Sequence, residues 1–357
     1  GSSPLWKKFV HMSRYSSFLC VLLWPWAQGL FLQERAYLSQ VTRSSDKSVS
    51  ADEVKSTLSS STDGIKICIA VPISSVNEDT HMENQTFGAL ARSVLDTWGI
   101  VHAPDVFQMV FPSSQDLEDF QQNYGGLGDP RLLVLGSGAS TTRAEPTTLQ
   151  RPSPLRIFEE FRKRNFLRML GMKFNQSASP TLTSDCMWYV SADGDGYLNA
   201  DALRTQLSEL DHTVPYYLGS FAHPNPKWNA SLYGGDWASG ATGHVVSNAL
   251  LDSVDWGACV QELQDRMERG EKGEKVWGWD DVETGACVWR HLPEAKRVIL
   301  QHSLWSVARA ENEEVRTLVD SKDPKWATIS AAHRMTVKLN YDAARVLAEL
   351  RAANSSL

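Results

Sequence analysis

Two aspartates one residue apart, Asp193 and Asp195, follow an apolar run in "CMWYVSADGDGYLNADAL" (186–203). Carboxylates at that spacing can grip a hard divalent cation, which takes oxygen ligands. Three readings compete. The first is a calcium loop of EF-hand type, D-x-[DN]-x-[DN]-G-x5-E. Setting Gly196 at the loop's glycine puts Asp195, Asp193 and apolar Leu198 in suitable places. Ser191 then opens the loop, and Ala202 stands where a bidentate glutamate must close it. The flank also differs: an EF loop follows a helix, whereas "CMWYV" is aromatic and β-branched and reads as a buried strand. The second reading is a plain polar turn after a strand. The third is the metal site of an enzyme, with strand, D-x-D and helix in succession. The surrounding elements must decide.

The folded body opens with "IKICIAVPI" (65–73), a continuous apolar run expected as a buried strand. "FGALARSVLDTW" (87–98) has helical spacing, with Leu90, Val94 and Trp98 on one face. "VFQMVFP" (106–112) and "RLLVLG" (131–136) read as further strands, the second punctuated by Gly136 and Gly138. A loop over 137–154 precedes a long helix over 155–174, and a helix over 200–210 follows the D-x-D. Strands alternating with helices indicate an α/β fold with a central, mostly parallel sheet flanked by helices. Ligands in such folds bind at the carboxyl ends of strands, where Asp193 and Asp195 stand. Neither G-x-G-x-x-G nor G-x-x-x-x-G-K-[ST] occurs, which disfavours dinucleotide and P-loop folds, and there is no internal repeat.

The chain has 357 residues, and its 42% apolar content is enough for a substantial core. A formal charge of −7 without a basic stripe argues against nucleic acid as a partner. The uncharged stretch "YSSFLCVLLWPWAQGLFL" (15–32) follows Lys7, Lys8 and Arg14. It reads as a membrane signal anchor with a cytoplasmic tail over 1–14, or as a cleaved signal peptide with "AQG" (27–29) at the cut. Residues 33–63 read as a solvated stem, 64–310 as the catalytic body, and 311–357 as a helical extension with Ala343, Leu347 and Leu350 on one face. Either membrane reading sends the body into the secretory pathway. The sequons at Asn84, Asn175, Asn229 and Asn354 agree with that. Outside the apolar stretch stand Cys68, Cys186, Cys259 and Cys287, which permit two disulfides in an oxidising lumen. Cys259–Cys287, flanking one candidate loop, is the favoured pair; Cys68 and Cys186, in strand-like runs, read equally as free buried thiols.

Four segments then occur in the order of the fringe-like β1,3-glycosyltransferases, the group that includes the core-1 β1,3-galactosyltransferases. "ARSVLDTWG" (91–99) resembles that family's helix after the first strand. "MWYVSADGDGYLNADAL" resembles its W-Y…D-D-D segment. "YYLGS" (216–220) with "WASGATGHVVS" (237–247) is similar to its Y-x-G and G-G-A-G-Y-x-x-S segments. "WGWDDVETGACV" (277–288) looks like its [ED]-D-V-x-x-G-x-C segment. The resemblance covers roughly 65–306. This chain departs from the pattern at Gly194, Ala241, Thr242 and His244, which bears on the donor sugar more than on the fold.

The resemblance implies a GT-A-type nucleotide-sugar fold and inverting transfer from a UDP-sugar with Mn2+. On this reading Asp195 ligates the metal, and Asp193 holds the ribose or a metal-bound water. His302 stands where the family often places a metal ligand, or is a structural histidine. Asp281 matches the base position, with Asp280 raising its pKa by like charge or capping the helix. Gly240 and Gly243 would admit the sugar to a close-approach loop. Trp237 would stack on the donor, and Trp277 and Trp279 on the acceptor, or each is core. Arg92 resembles a basic residue near uracil and phosphate, or forms a plain ion pair. The partners implied are the UDP-sugar, a glycan or glycoprotein acceptor and the membrane, at the Golgi or ER; secretion and a homodimer are left open. The best reading is galactosyl transfer in β1,3 linkage. GlcNAc or glucose transfer, a catalytically inactive chaperone-like relative, and a calcium-binding lumenal module are the rivals.

Overall fold

A computed structural model describes residues 64–73, 75–77, 79, 85–100, 105–135, 153–169, 186–222, 235–269, 280–300, 303–304 and 311–355. The stretch 15–32, the expected anchor, lies outside them. Among the described residues no helix is long and apolar enough to cross a membrane.

The strands are, in chain order, β1 (Ile67–Pro72), β2 (Val106–Phe111), β3 (Leu132–Val134), β4 (Trp188–Ser191), β5 (Gly196–Leu198), β6 (Tyr216–Gly219), β7 (Phe221–Ala222), β8 (Trp237–Ala238), β9 (His244–Ser247), β10 (Lys296–Ile299), β11 (Ser303–Leu304) and β12 (Ala331–His333). Seven form the main sheet in the order β10-β6-β9-β4-β1-β2-β3. β1 pairs in parallel with β2 and β4, β2 with β3, and β6 with β10. β9 runs antiparallel to both its neighbours, β4 and β6. The sheet is thus mixed but mostly parallel, as expected.

The helices are α1 (Phe87–Asp96), α2 (Ser114–Tyr124), α3 (Pro154–Met169), α4 (Ala200–Leu207), α5 (Asn248–Ser253), α6 (Trp256–Glu268), α7 (Asp280–His291), α8 (Glu313–Asp320) and α9 (Val337–Ser355). Strand alternation gives the sheet two apolar faces. Ile67, Ile69, Val71, Trp188 and Val190 pack with Val94 of α1 and Leu339 and Val346 of α9. Cys68, Ala70, Tyr189 and Val246 face the other way, onto Phe158 of α3, Trp256 of α6 and Val288 of α7. Helix starts follow side-chain caps: the Thr86 hydroxyl accepts from Ala89 N at 3.2 Å, and Ser113 does the same for Asp116 at 3.0 Å.

Two disulfides pin this frame. Cys259–Cys287 joins α6 to α7, and Cys68–Cys186 joins β1 to the lead-in of β4. The free-thiol reading of Cys68 and Cys186 is therefore corrected; parallel pairing of β1 with β4 brings the two cysteines together.

The segment 311–355 is not the all-helical extension expected. It contributes β12, which pairs antiparallel with β5 and parallel with β11 in a small second sheet. Short apolar Ala331 and Ala332 are buried there, and α9 covers the core beside α1.

Candidate active site

Asp193 and Asp195 occupy the turn after β4, at its carboxyl end in the middle of the main sheet. The chain then leaves that sheet as β5 and pairs with β12, with Gly196 opposite His333. Met335 N donates to the Asp195 carbonyl at 2.9 Å, and Trp98 Nε1 donates to the Gly196 carbonyl at 3.1 Å. This register delivers His333: its Nε2 lies 3.4 Å from Asp195 Oδ2. One ligand atom each from Asp193, Asp195 and His333 lie within 4.8 Å of one another. Two carboxylates and an imidazole are a donor set suited to a divalent ion of the manganese type.

The electrostatics fit a cation. Burial, then the charge of Asp195, pushes the Asp193 carboxyl up to about 7. Burial works the same way on Asp195, but the hydrogen bond and charge of His333, with help from Arg334, hold it below the ordinary range. His333 is pulled down by burial, yet its bond to Asp195 carries it above its ordinary value. Two carboxylates in a poorly hydrated turn resist being ionised together, and a dication removes that penalty.

Gly194 stands where the family pattern has a third aspartate. A Cβ there would meet Ile73 Cδ1 at 3.3 Å and the Pro72 carbonyl at 3.7 Å. A side chain at 194 would thus start toward the end of β1, so the candidate ligand set of Asp193, Asp195 and His333 does not need one there.

The turn Gly240–Thr242 closes over the pair. A Cβ on Gly240 would lie 3.2 Å from Asp193 Oδ2, and Gly240 N donates to Asp281 Oδ2 at 3.4 Å. Gly240 therefore lies between Asp193 and Asp281, with no room for a side chain toward Asp193. Gly243 has φ 83° and a virtual Cβ 3.1 Å from the Ser191 carbonyl, so only glycine lets the loop approach β4. Asp281 opens α7, with Val282 N donating to Oδ1 at 2.8 Å, and burial raises its pKa. His244, where the pattern has tyrosine, is fully buried and stacked on Tyr217. Tyr217 Oη accepts from Ala238 N at 3.2 Å and lies 2.9 Å from His244 Nδ1, within hydrogen-bond distance. Burial holds this imidazole neutral, with its pKa pushed down to about 3.

A family model described as Fringe-like matches residues 160–348, more than half of the chain, and takes in Asp193, Asp195, Gly240, Asp281 and His333. The chain belongs to the Fringe-like family. Its activity class is therefore glycosyl transfer. Among curated proteins, none matches significantly. Among solved structures, a galactosyltransferase, LgtC, in complex with donor and acceptor sugar analogues shares 12% identity and a TM-score of 0.38, covering 81% of this chain and 96% of that one. A likeness that remote carries no argument about the reaction.

The remaining expected site residues of this Fringe-like chain separate into three groups. Trp237 is packed: it is buried in β8 with Val282 and Ala286 of α7, the core position named as its alternative. Arg92 is ion-paired with Asp96, which also accepts from Tyr341 of α9 at 2.8 Å, the plain ion pair named as its alternative. His302, Trp277, Trp279, Asn84, Asn175 and Asn229 lie outside the described residues, as does the Asp280 side chain; Asn354 is exposed near the end of α9. The residue that sequence reasoning missed is His333. Its one signal was a lone histidine after a short small-residue run, "SAAH", in a stretch otherwise helical and charged.

Proposed function

We propose that this Fringe-like chain is an inverting, metal-dependent glycosyltransferase that moves a hexose, galactose first among candidates, from a UDP-sugar in β1,3 linkage to a glycan or glycoprotein. The observation that carries the reading is the convergence of Asp193, Asp195 and His333 with Asp281 on the single turn at Gly240. Asp193, Asp195 and His333 would hold Mn2+, and such an ion neutralises the charge of a departing diphosphate.

Asp281 takes the proton of the acceptor hydroxyl. Each of its oxygens accepts one backbone N–H, which fixes the carboxylate and leaves lone pairs for the substrate. Its raised pKa makes it a better base than an exposed aspartate. The inactive-relative reading rested on Gly194, and the direction of a side chain there weakens it. Two disulfides and the 15–32 stretch support a lumenal catalytic body on a Golgi or ER anchor.

The test is a screen of UDP-sugars for Mn2+-dependent UDP release, with simple glycoside acceptors. Release with one donor, lost in Asp195→Ala and Asp281→Asn while Asp281→Asn still binds UDP, supports the reading. No release from any donor by folded protein overturns it.

A further inference from the structure

Arg334 directly follows His333 and has a left-handed backbone, φ 62°, which an arginine rarely adopts. The surroundings impose it. Asn312 N donates to the Arg334 carbonyl at 3.2 Å, Asn312 Nδ2 to the His333 carbonyl at 3.0 Å, and Met335 N to the Asp195 carbonyl at 2.9 Å. Residues held in such a conformation by their neighbours concentrate at functional sites. Here the result is a guanidinium over the metal pair. Arg334 Nη1 lies 3.5 Å from Asp195 Oδ2, the same oxygen that faces His333. The side chain is 14% exposed, and its Nε is buried without a hydrogen-bond partner among the described residues. The group is thus largely out of water with donors unspent.

A dication held by Asp193, Asp195 and His333 would share the Asp195 carboxylate with this guanidinium. Two cations that close in a buried site repel strongly. An anion contacting both relieves the repulsion, and the planar fork of an arginine suits phosphate oxygens. We propose that Arg334 is a diphosphate-recognition residue that couples the two ligands: it opposes the metal alone and favours the metal with a nucleoside diphosphate. The proposal rests on the metal-site reading given above. It makes binding of metal and nucleotide reciprocal, each strengthening the other by the same factor.

The experiment uses the full chain. Mn2+ binding is followed by the paramagnetic resonance of the free ion, and UDP binding by calorimetry, each alone and in the presence of the other. In the wild type, saturating UDP should tighten Mn2+ binding roughly tenfold or more. In Arg334→Gln, Mn2+ alone should bind at least as tightly as in the wild type, and UDP should tighten it less than about threefold. Arg334→Gly gives the same readout on a backbone that glycine adopts freely, so it serves if the glutamine variant fails to fold. If both variants bind Mn2+ more weakly and keep the full UDP effect, Arg334 only shapes the site and the coupling is wrong. Wild-type protein that binds neither Mn2+ nor UDP would instead remove the metal site itself, and the coupling with it.

Discussion

Gly285→Ala places a methyl group where α7 already touches β8. The added Cβ would lie 2.7 Å from Trp237 Cα, closer still to its Cβ, and 3.3 Å from the Asp236 carbonyl. Carbon atoms settle at about 3.5–4.0 Å, so the helix must withdraw by roughly 1 Å. The atoms met are backbone and Cβ, which no rotamer change moves. On its other side α7 is held by Cys259–Cys287 and by the buried pair Arg266–Glu283, at 2.5 Å. Overpacking of this kind costs about 2–3 kcal/mol. Alanine's helix propensity gives back about 1 kcal/mol. The net loss is about 1–2 kcal/mol, or a Tm lower by roughly 2–8 °C. Asp281 begins the same helix and meets Gly240 N across the gap that widens. A displacement of about 1 Å at a reacting group costs roughly 100-fold in rate. Asp193, Asp195 and His333 sit on other elements, so UDP and Mn2+ binding should hold. The assay is turnover with the identified donor, beside thermal unfolding and UDP calorimetry. Turnover within about threefold of wild type at a lowered Tm would refute the claim that α7 positions the base, as would parallel loss of nucleotide binding.

His333→Ala should weaken Mn2+ binding about 100-fold or more, while His302→Ala leaves it within a few fold; titration of the free ion in both variants checks this, and the reverse order returns the metal to His302. The Cys68→Ala/Cys186→Ala variant should lose about 4–5 kcal/mol in urea unfolding, because the bridge spans a sequence separation of 118. Mn2+ affinity should rise as pH climbs from 6 to 8 with release of protons, since the metal displaces the proton that Asp193 retains to about 7 and the one that His333 holds above its ordinary value; calorimetry in buffers of different ionisation enthalpy reads the protons. Both groups have folded pKa values above their unfolded ones, so metal-free protein should lose their contributions as pH rises, that of Asp193 between about 4 and 7 and that of His333 above about 6.5, while buried His244, pushed down to about 3, adds an opposing rise as its unfolded form loses its proton around 6.5; urea unfolding across pH 5 to 8, with and without Mn2+, shows whether the metal removes the part due to Asp193 and His333.

Local pattern made much of this legible. The apolar run at β1, the helical spacing of α1 and the strand before the D-x-D all recur in the fold, because each is decided by near neighbours. Gly240, Gly243 and Asp281 were visible as motif residues, and the structure brings Gly240 against both Asp193 and Asp281 and Gly243 against the end of β4. What pattern could not carry was pairing between distant segments. β12 is three residues long, and its meaning comes from β5, far back in the chain. Two lone histidines, His302 and His333, look alike until that register is known. Trp237 reads the same as a sugar platform or as core; Gly285, a helical turn beyond Asp281, is what draws the helix onto it. The reversed direction of β9 likewise depends on which strands it ends between.

The position of His333 gives the chain a direction in time. Synthesis runs from the amino end, so the D-x-D, the glycine turn and Asp281 all emerge before β12 exists. A polypeptide stalled or clipped anywhere ahead of Ala331 would carry every recognisable motif and still lack the third ligand and the strand that fixes Asp195. On the metal-site reading, competence to hold the ion would therefore depend on a strand made after every recognisable motif.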